Sequence, residues 1–561
     1  MSWRFKFTFG VILLLFLLVI SRLFYWQFVK AAELSALGQL QYGSTVKLTP
    51  QRGEIRTSDG FPVATNKISY LVFANPKEIS KKEETTLALS GILDMDQASI
   101  SADLSLDKYW VALKTGIDQP TKDKIDKLNL AGIGFEKQYS RFYPEASMAA
   151  QLLGFVGKDE NGDDQGYFGL EGYYDRLLKG KAGTAIQVHD AMGRPILSKI
   201  NENSGEIEGS NLILSIDRSI QFLAEEKLKE GIEKYGAQSG MVGVMDPKTG
   251  KILAMASFPS FDPRDFQDYP ETLYKDPFIS DLYEPGSTFK PIVMSAALND
   301  KVITPTTQCT ICSGPVPVGG YSIHTWNDKY YPNINMIEVI QHSDNTGMVF
   351  VSQKLGLDKM LKGLASFGIG DTTGVDLQGE VSSPLKPKND WYAVDVATSA
   401  FGQGISVTPI EILDAIGAIA NGGKRMEPHV VSGVEAPDGS VVGISPRVID
   451  NPITPETAKV MTEIMVNAVN KGEAQWARLK GYRIAGKTGT ASIPIAGHYD
   501  PTQTIASFVG FAPADNPKFV MLVIINRPTS SIYGAETAAP VFFDIAKGIL
   551  TYYGIAPTVQ E

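Results

Sequence analysis

Three short stretches of this chain carry side chains able to make and break an acyl bond. The first is Tyr283-Glu284-Pro285-Gly286-Ser287-Thr288-Phe289-Lys290-Pro291, where a hydroxyl and an amine stand three residues apart. Pro285-Gly286 reads as a turn, and Ile292 to Leu298 as the body of an apolar helix. Pro291 is tolerated only close to a helix start, so the helix is expected to begin near Ser287. Ser287 would then sit at the positive end of the helix, with Lys290 one turn later on the same face. A serine hydroxyl is a weak nucleophile until a neighbouring base takes its proton. A lysine becomes such a base when burial and nearby positive charge disfavour its charged form. The chemistry implied is acyl transfer through a covalent serine ester.

The spacing alone proves little. Ser-x-x-Lys also occurs at Ser44–Lys47, Ser105–Lys108 and Ser383–Lys386, none of which joins a turn to an apolar helix. What raises the Ser287 motif above them is the order of its partners. Ser343-Asp344-Asn345 is the one Ser-x-Asn of the chain. Its hydroxyl can relay a proton and its amide can hold a peptide carbonyl; the plainer reading is a helix-capping turn. The third stretch is Lys487-Thr488-Gly489-Thr490. Lys-Thr-Gly also occurs at Lys114 and at Lys248, the latter between two apolar runs and therefore the turn of a β-hairpin. Only Lys487 follows both other motifs, among the small residues Ala485, Gly486, Gly489 and Ala491. A strand so bare lets a substrate backbone come close, and its edge can pair with an extended peptide. Lys487 would attract a carboxylate and help keep Lys290 neutral. The backbone N–H groups of Ser287 and Thr490 are candidates for an oxyanion hole.

Together these motifs are the signature of the penicilloyl-serine transferases, and the chain resembles a class B penicillin-binding protein, a monofunctional peptidoglycan D,D-transpeptidase. The resemblance runs over nearly the whole length. It includes Pro50-Gln51-Arg52-Gly53-Glu54-Ile55 with Asp59-Gly60, Arg141-Phe142-Tyr143-Pro144, Gly169-Leu170-Glu171, Leu214-Ser215-Ile216-Asp217 and Ala400-Phe401-Gly402-Gln403-Gly404-Ile405-Ser406-Val407-Thr408-Pro409. One departure is Arg56-Thr57-Ser58-Asp59-Gly60, where the family more often has Asp-Arg-Asn-Gly. The resemblance implies catalysis by Ser287, Lys290, Ser343 and Asn345, and substrate binding by Lys487, Thr488, Gly489 and Thr490, without metal or cofactor. It implies stem peptides ending in D-Ala-D-Ala, lipid-linked precursor strands and β-lactam antibiotics as ligands. It also implies a separate polytopic glycosyltransferase and division or elongation proteins as partners. Leu282 to Gly286 and Asp344 to Gly347 look like the division-type members.

The chain has 561 residues, 43% hydrophobic and 20% charged, room for two to four ordinary domains. A net charge of −10 with no basic stripe speaks against nucleic acid. Phe7 to Ile20 is an almost unbroken apolar run, and through Trp26 it reaches the roughly 20 residues that span a bilayer. Tyr25, Trp26 and a snorkelling Arg22 suit the interface. A cleaved signal peptide is the alternative, but Arg22 and the aromatics set the possible site at Val29-Lys30-Ala31 far from the apolar core. The expectation is one uncleaved helix in the inner (cytoplasmic) membrane, N-terminus cytoplasmic, catalytic part outside. The only cysteines, Cys309 and Cys312, are expected as a disulfide or as structural thiols; a zinc site would need two further ligands.

The organisation expected is residues 1–30 tail and anchor, 31–206 an elongated pedestal of dimerisation type, and 207–561 the transpeptidase domain. The last is an α+β layout with helices, an antiparallel sheet and a helical subdomain. Its elements read as an amphipathic helix from Ile216, the Lys248 hairpin, strands over 486–492, 506–511 and 519–525, and a closing helix over 541–552. Rival functions are a serine β-lactamase, for which Glu463 and Asn467 match a water-activating pair but fall in a helix over 455–470, and a slow β-lactam sensor or wall-binding scaffold. A bifunctional synthase is disfavoured, since the stretch before Glu206 carries no glycosyltransferase signature.

Overall fold

The computed structural model describes residues 2–34, 43–48, 50–189, 195–201, 205–495 and 498–557. It divides into two compact units, and the chain passes between them several times. One contains Met1–Arg52, Asn66–Ser140 and Lys179–Gly209, the other Gly53–Thr65, Arg141–Leu178 and Ser210–Glu561.

The smaller unit begins with helix α1 (Trp3–Phe24), which runs into a further turn at Tyr25–Val29. Over Trp3–Val29 it is long and apolar enough to cross a membrane, with a mean hydropathy of 2.5 and none of its most apolar stretch buried in the protein. The Arg22 guanidinium lies 5.0 Å from the Trp26 ring centre. Elsewhere in this unit Gly43–Leu48, Gly183–His189 and Pro195–Asn201 form a three-stranded sheet. A separate core of Val72, Leu89, Leu93, Ile100, Leu104 and Leu113 packs two helices on the strand Val111–Ile117. Lys114 lies on that strand.

The larger unit is built on five antiparallel strands. In chain order they are β1 (Ser239–Met245), β2 (Ile252–Phe258), β3 (Ala485–Ile495), β4 (His498–Ala512) and β5 (Phe519–Asn526); in space the order is β2-β1-β5-β4-β3. Lys248 is in the β1–β2 turn, and β3 is the sheet's edge. The central strand shows why so apolar a run forms a strand. Val520, Leu522 and Ile524 enter one core, whereas Met521, Val523 and Ile525 enter the other. Alternation sends successive side chains to opposite faces, and because both faces are covered the strand is hydrophobic throughout. Each of these side chains is worth roughly 1.5–3 kcal/mol on burial.

One face is covered by α2 (Arg218–Tyr235), capped by Asp217, and by the closing helix Ala538–Tyr552. The other carries the helical layer: α3 (Lys290–Asn299), α4 (Met336–Gln341), α5 (Asn345–Leu355), α6 (Pro409–Ala420) and α7 (Pro455–Lys471). In α3 every residue from Lys290 to Leu298 is buried, as expected of a helix apolar all round. Sequence motifs outside the site tie this unit together. The buried Arg141 donates to Glu171 at 2.6 Å and to the Gly53 carbonyl at 2.7 Å, and Asn211 accepts from the Glu54 N–H at 2.7 Å.

Candidate active site

The nucleophile candidate sits on a turn that two glycines make possible. Gly286–Phe289 forms a 3-10 turn that leads directly into α3, so the α-helix begins at Lys290 and not at Ser287. The difference from expectation is small, because Ser287 and Lys290 remain one turn apart. Gly286 has φ +55° and donates to the Gly402 carbonyl at 2.9 Å. Gly402 has φ +81°, and a Cβ there would lie 2.1 Å from the Gly286 oxygen. The neighbouring residues fasten the same two segments. Tyr283 and Val407 exchange backbone hydrogen bonds at 3.0 Å, and Glu284 accepts from the Gly404 N–H at 2.9 Å. The Ala400–Pro409 motif thus clamps the Ser287 turn.

Ser343-Asp344-Asn345 is both a helix cap and a cluster of reactive groups. Asp344 caps α5 by accepting from the Gly347 N–H at 2.9 Å. The cap holds Ser343 just outside the helix at φ +54°, a backbone conformation costly for a residue with a Cβ and typical of functional sites. From there Ser343 Oγ lies 2.9 Å from Ser287 Oγ and 3.3 Å from Lys290 Nζ. Lys290 Nζ also donates to the Ser343 carbonyl at 2.6 Å and to Asn345 Oδ1 at 2.8 Å, while Asn345 Nδ2 donates to the His324 carbonyl at 3.0 Å. A hydrogen-bonded path from Ser287 to Lys290 therefore runs through Ser343. Lys290 is completely buried. Burial first, and the positive charge of Lys487 second, pull its amine down to about 7, against an upward pull from Asp344 and Glu473.

Lys487 lies on edge strand β3, opposite Val509 in the register, and its amine donates to the Thr488 carbonyl at 3.1 Å and hydroxyl at 3.0 Å. Burial pulls this amine down as well, and Glu473 resists. Gly489 is required by crowding: a Cβ would lie 2.2 Å from Ser507 Oγ and 2.8 Å from the Thr288 methyl. A Cβ on Gly286 would come within 3.1 Å of the Thr490 carbonyl, which places the nucleophile turn against β3. Ser287, Ser343, Asn345, Thr488 and Thr490 line one open cleft of about 860 Å³.

Trp326, Tyr533 and Glu473 on the cleft wall have no counterpart in the sequence reasoning. Trp326 and Tyr533 meet edge to face at 5.5 Å on the cleft wall. Glu284 accepts from the Tyr499 hydroxyl at 3.1 Å as well as from Gly404. Glu473, in the turn after α7, accepts from the Thr488 hydroxyl at 2.8 Å. Trp326, Tyr533 and Glu473 are lone residues outside the motifs, so neither spacing nor periodicity marks them; Glu284 lies inside the Ser287 motif, but its contacts to Gly404 and Tyr499 leave no local pattern. Glu463 is exposed on α7 and donates nothing to the cleft; Arg483 pairs with it at 2.7 Å. Asn467 on the same helix donates to Gln341 at 2.8 Å. Cys309 and Cys312 are joined as a buried disulfide. Among the described residues no group of three or more His, Cys, Asp or Glu is placed to hold a metal.

A serine bridged through a second serine to a lysine whose amine is pulled down to about 7, beside a second lysine on a sheet edge, is an arrangement suited to acyl transfer through serine. Comparison with known proteins agrees. Residues 240–547 match the penicillin binding protein transpeptidase domain, and residues 47–214 the penicillin-binding protein dimerisation domain. Stage V sporulation protein D of Bacillus subtilis (strain 168) is 34% identical over 565 residues, 99% of this chain and 86% of that one. Peptidoglycan D,D-transpeptidase FtsI of Escherichia coli (strain K12) is 30% identical over 565 residues, 99% of this chain and 93% of its own. The crystal structure of a peptidoglycan synthetase from Bifidobacterium adolescentis superposes with a TM-score of 0.73 at 26% identity, covering 92% of this chain and 98% of that one. The chain belongs to the penicillin-binding protein transpeptidase family.

Proposed function

We propose that this chain is a serine-type peptidoglycan D,D-transpeptidase in which Ser287 is the nucleophile and Lys290 the base. The observation that carries this reading is the Ser287–Ser343–Lys290 hydrogen-bonded path, ending in an amine pulled to about 7. The Ser287 hydroxyl gives its proton along this path as its oxygen attacks the carbonyl carbon between the two terminal D-alanines of a stem peptide. The N–H groups of Ser287 and Thr490 hold the oxyanion. The C–N bond then breaks, and Ser343 returns the proton to the departing D-alanine amine. Asn345 orients the donor amide, Lys487 and Thr488 bind the terminal carboxylate, and Gly489 leaves room for the peptide along β3. The amine of a neighbouring stem attacks the ester, forms the cross-link and frees Ser287. A β-lactam enters the same path and remains as the acyl-serine.

Residues 1–30 serve as an inner-membrane anchor with a cytoplasmic N-terminus, 31–206 as a pedestal, and 207–561 as the transpeptidase domain outside the membrane. The likeness of Leu282–Gly286 and Asp344–Gly347 to division-type sequences supports work at the septum, beside a separate glycosyltransferase that polymerises the lipid-linked precursors. Intact mass after exposure to penicillin tests the chemistry. One stable adduct lasting hours, absent in Ser287→Ala, is expected. An adduct cleared within seconds would make the protein a β-lactamase, and none on either form would refute the catalytic reading.

A further inference from the structure

Among the described residues Glu473 is the one acidic side chain that lines the cleft beside Ser287, Thr488 and Thr490. The turn that carries it is closely packed. It follows Gly472, which ends α7, and a Cβ on Gly472 would lie 2.3 Å from the Ala468 carbonyl and 2.8 Å from that of Gln341. From this turn Glu473 Oε2 accepts from Thr488 Oγ1 at 2.8 Å, and Thr488 Oγ1 accepts from Lys487 Nζ at 3.0 Å. The Thr488 hydroxyl has a single proton, so while it donates to Glu473 it cannot donate to anything else. Glu473 Oε1 is buried without a hydrogen-bond partner. An acceptor kept from water and left without a donor calls for an explanation beyond packing.

Resting on the reading that Lys487 and Thr488 receive the donor's terminal carboxylate, we propose that Glu473 is a specificity-determining residue that competes with that carboxylate for the Thr488 hydroxyl and the Lys487 charge. An anionic ligand entering the cleft must take the Thr488 proton from Glu473 and come to rest near a second negative charge. Binding of an anion is therefore weaker than the two lysines alone would give, and a ligand without the carboxylate is spared the conflict. The same charge acts on the base: Glu473 pulls the Lys290 amine upward, so the site needs a higher pH to hold Lys290 neutral than it would without Glu473.

The test is acylation of the full chain in detergent by benzylpenicillin, an anion, and by its uncharged methyl ester, with Glu473→Gln and Thr488→Val as variants. In Glu473→Gln the second-order rate constant for benzylpenicillin should rise roughly tenfold, as expected for removing one like charge at a cleft-lining position, with little change for the ester. The rising limb of the rate against pH should move to lower pH in the same variant, which a merely structural role would not produce. Thr488→Val should slow benzylpenicillin selectively. If Thr488→Val does so while Glu473→Gln leaves the two ligands and the pH limb unchanged, or slows both alike, the competition is refuted and the carboxylate site stands. If neither variant separates the anion from its ester, the carboxylate site falls and the proposal with it.

Discussion

In the proposed mechanism Lys290 meets the hardest requirement, because an ordinary lysine is a cation at any pH where peptides are cross-linked. Burial and the facing Lys487 bring its amine to about 7. The base form is then half populated near neutrality, where general-base efficiency is greatest. Acylation by penicillin should therefore rise with pH, pass half-maximum near pH 7 and level off above it, as stopped-flow measurement would record; a flat profile from pH 6 to 8 would refute Lys290 as the titrating base. Lys290→Arg keeps the charge but cannot release its proton. It should lose on the order of 10²–10⁴ in rate, the usual worth of a positioned acid or base. At this scale the sequence was informative where residues recur at fixed offsets, as in Ser287–Lys290 and Ser343–Asn345. It was silent on Glu473, which reaches the cleft only through the fold. The helix-capping turn read from Ser343-Asp344-Asn345 is the Asp344 cap of α5, whereas the positive φ of Ser343 beside it follows from backbone geometry alone.

Among the elements, the decisive contact is the loop of Gly402 and Gly404 against the turn of Ser287. The loop lines the cleft with Phe401 and Gln403, and by accepting from the Gly286 N–H it fixes the conformation of Gly286 and hence the direction of the Ser287 N–H and hydroxyl. Gly402→Ala brings two penalties together: a backbone at φ +81° and a Cβ 2.1 Å from the Gly286 oxygen. The strain alone costs roughly 1–3 kcal/mol, and relief requires the nucleophile turn to move. The variant should lose both thermal stability and acylation rate, the latter by more than tenfold. Retention of the wild-type rate in a destabilised protein would show that the loop supports the fold and not the nucleophile. Elements with strong periodicity were legible beforehand. The helix expected from Ile216 is Arg218–Tyr235, and the strand expected over 519–525 is Phe519–Asn526. The start of the nucleophile helix was not, since Pro291 marks the first α-helical turn but cannot reveal a 3-10 turn ahead of it.

Over the whole molecule, the sequence separated an apolar N-terminal helix, a region without catalytic motifs and a region with them. It could not show that Gly53–Thr65 and Arg141–Leu178 belong to the same compact unit as the site, because such pairing is long-range and leaves no local pattern. That larger unit holds several acids whose burial makes its stability depend on pH in a definite direction. Burial is the leading cause that raises Asp276 to about 6 and Asp414 to about 8, and it raises Glu225, Glu380 and Glu411 as well. A group raised in the folded state keeps a proton that the unfolded chain releases. Its contribution is complete below the ordinary carboxylate range and is lost as pH rises through the folded value. Glu54, Asp59 and Asp262 are lowered and act in the opposite sense, but they finish titrating below about pH 5. Lys290, pulled down to about 7, adds stability with rising pH chiefly from there upward, and the lowered Lys487 acts in the same sense. Between pH 5 and 7 the five raised acids outnumber the two lowered lysines, so the thermal midpoint of the larger unit should fall across that interval, followed by calorimetry on the full chain in detergent. Asp276→Asn, which keeps an oxygen to accept from the Phe278 N–H, should flatten the fall near pH 6. A midpoint that climbs from pH 5 to 7 would mean that these carboxyl groups are ionised in the folded protein, and that Arg425 holds Asp414 as a true ion pair across their 3.6 Å separation.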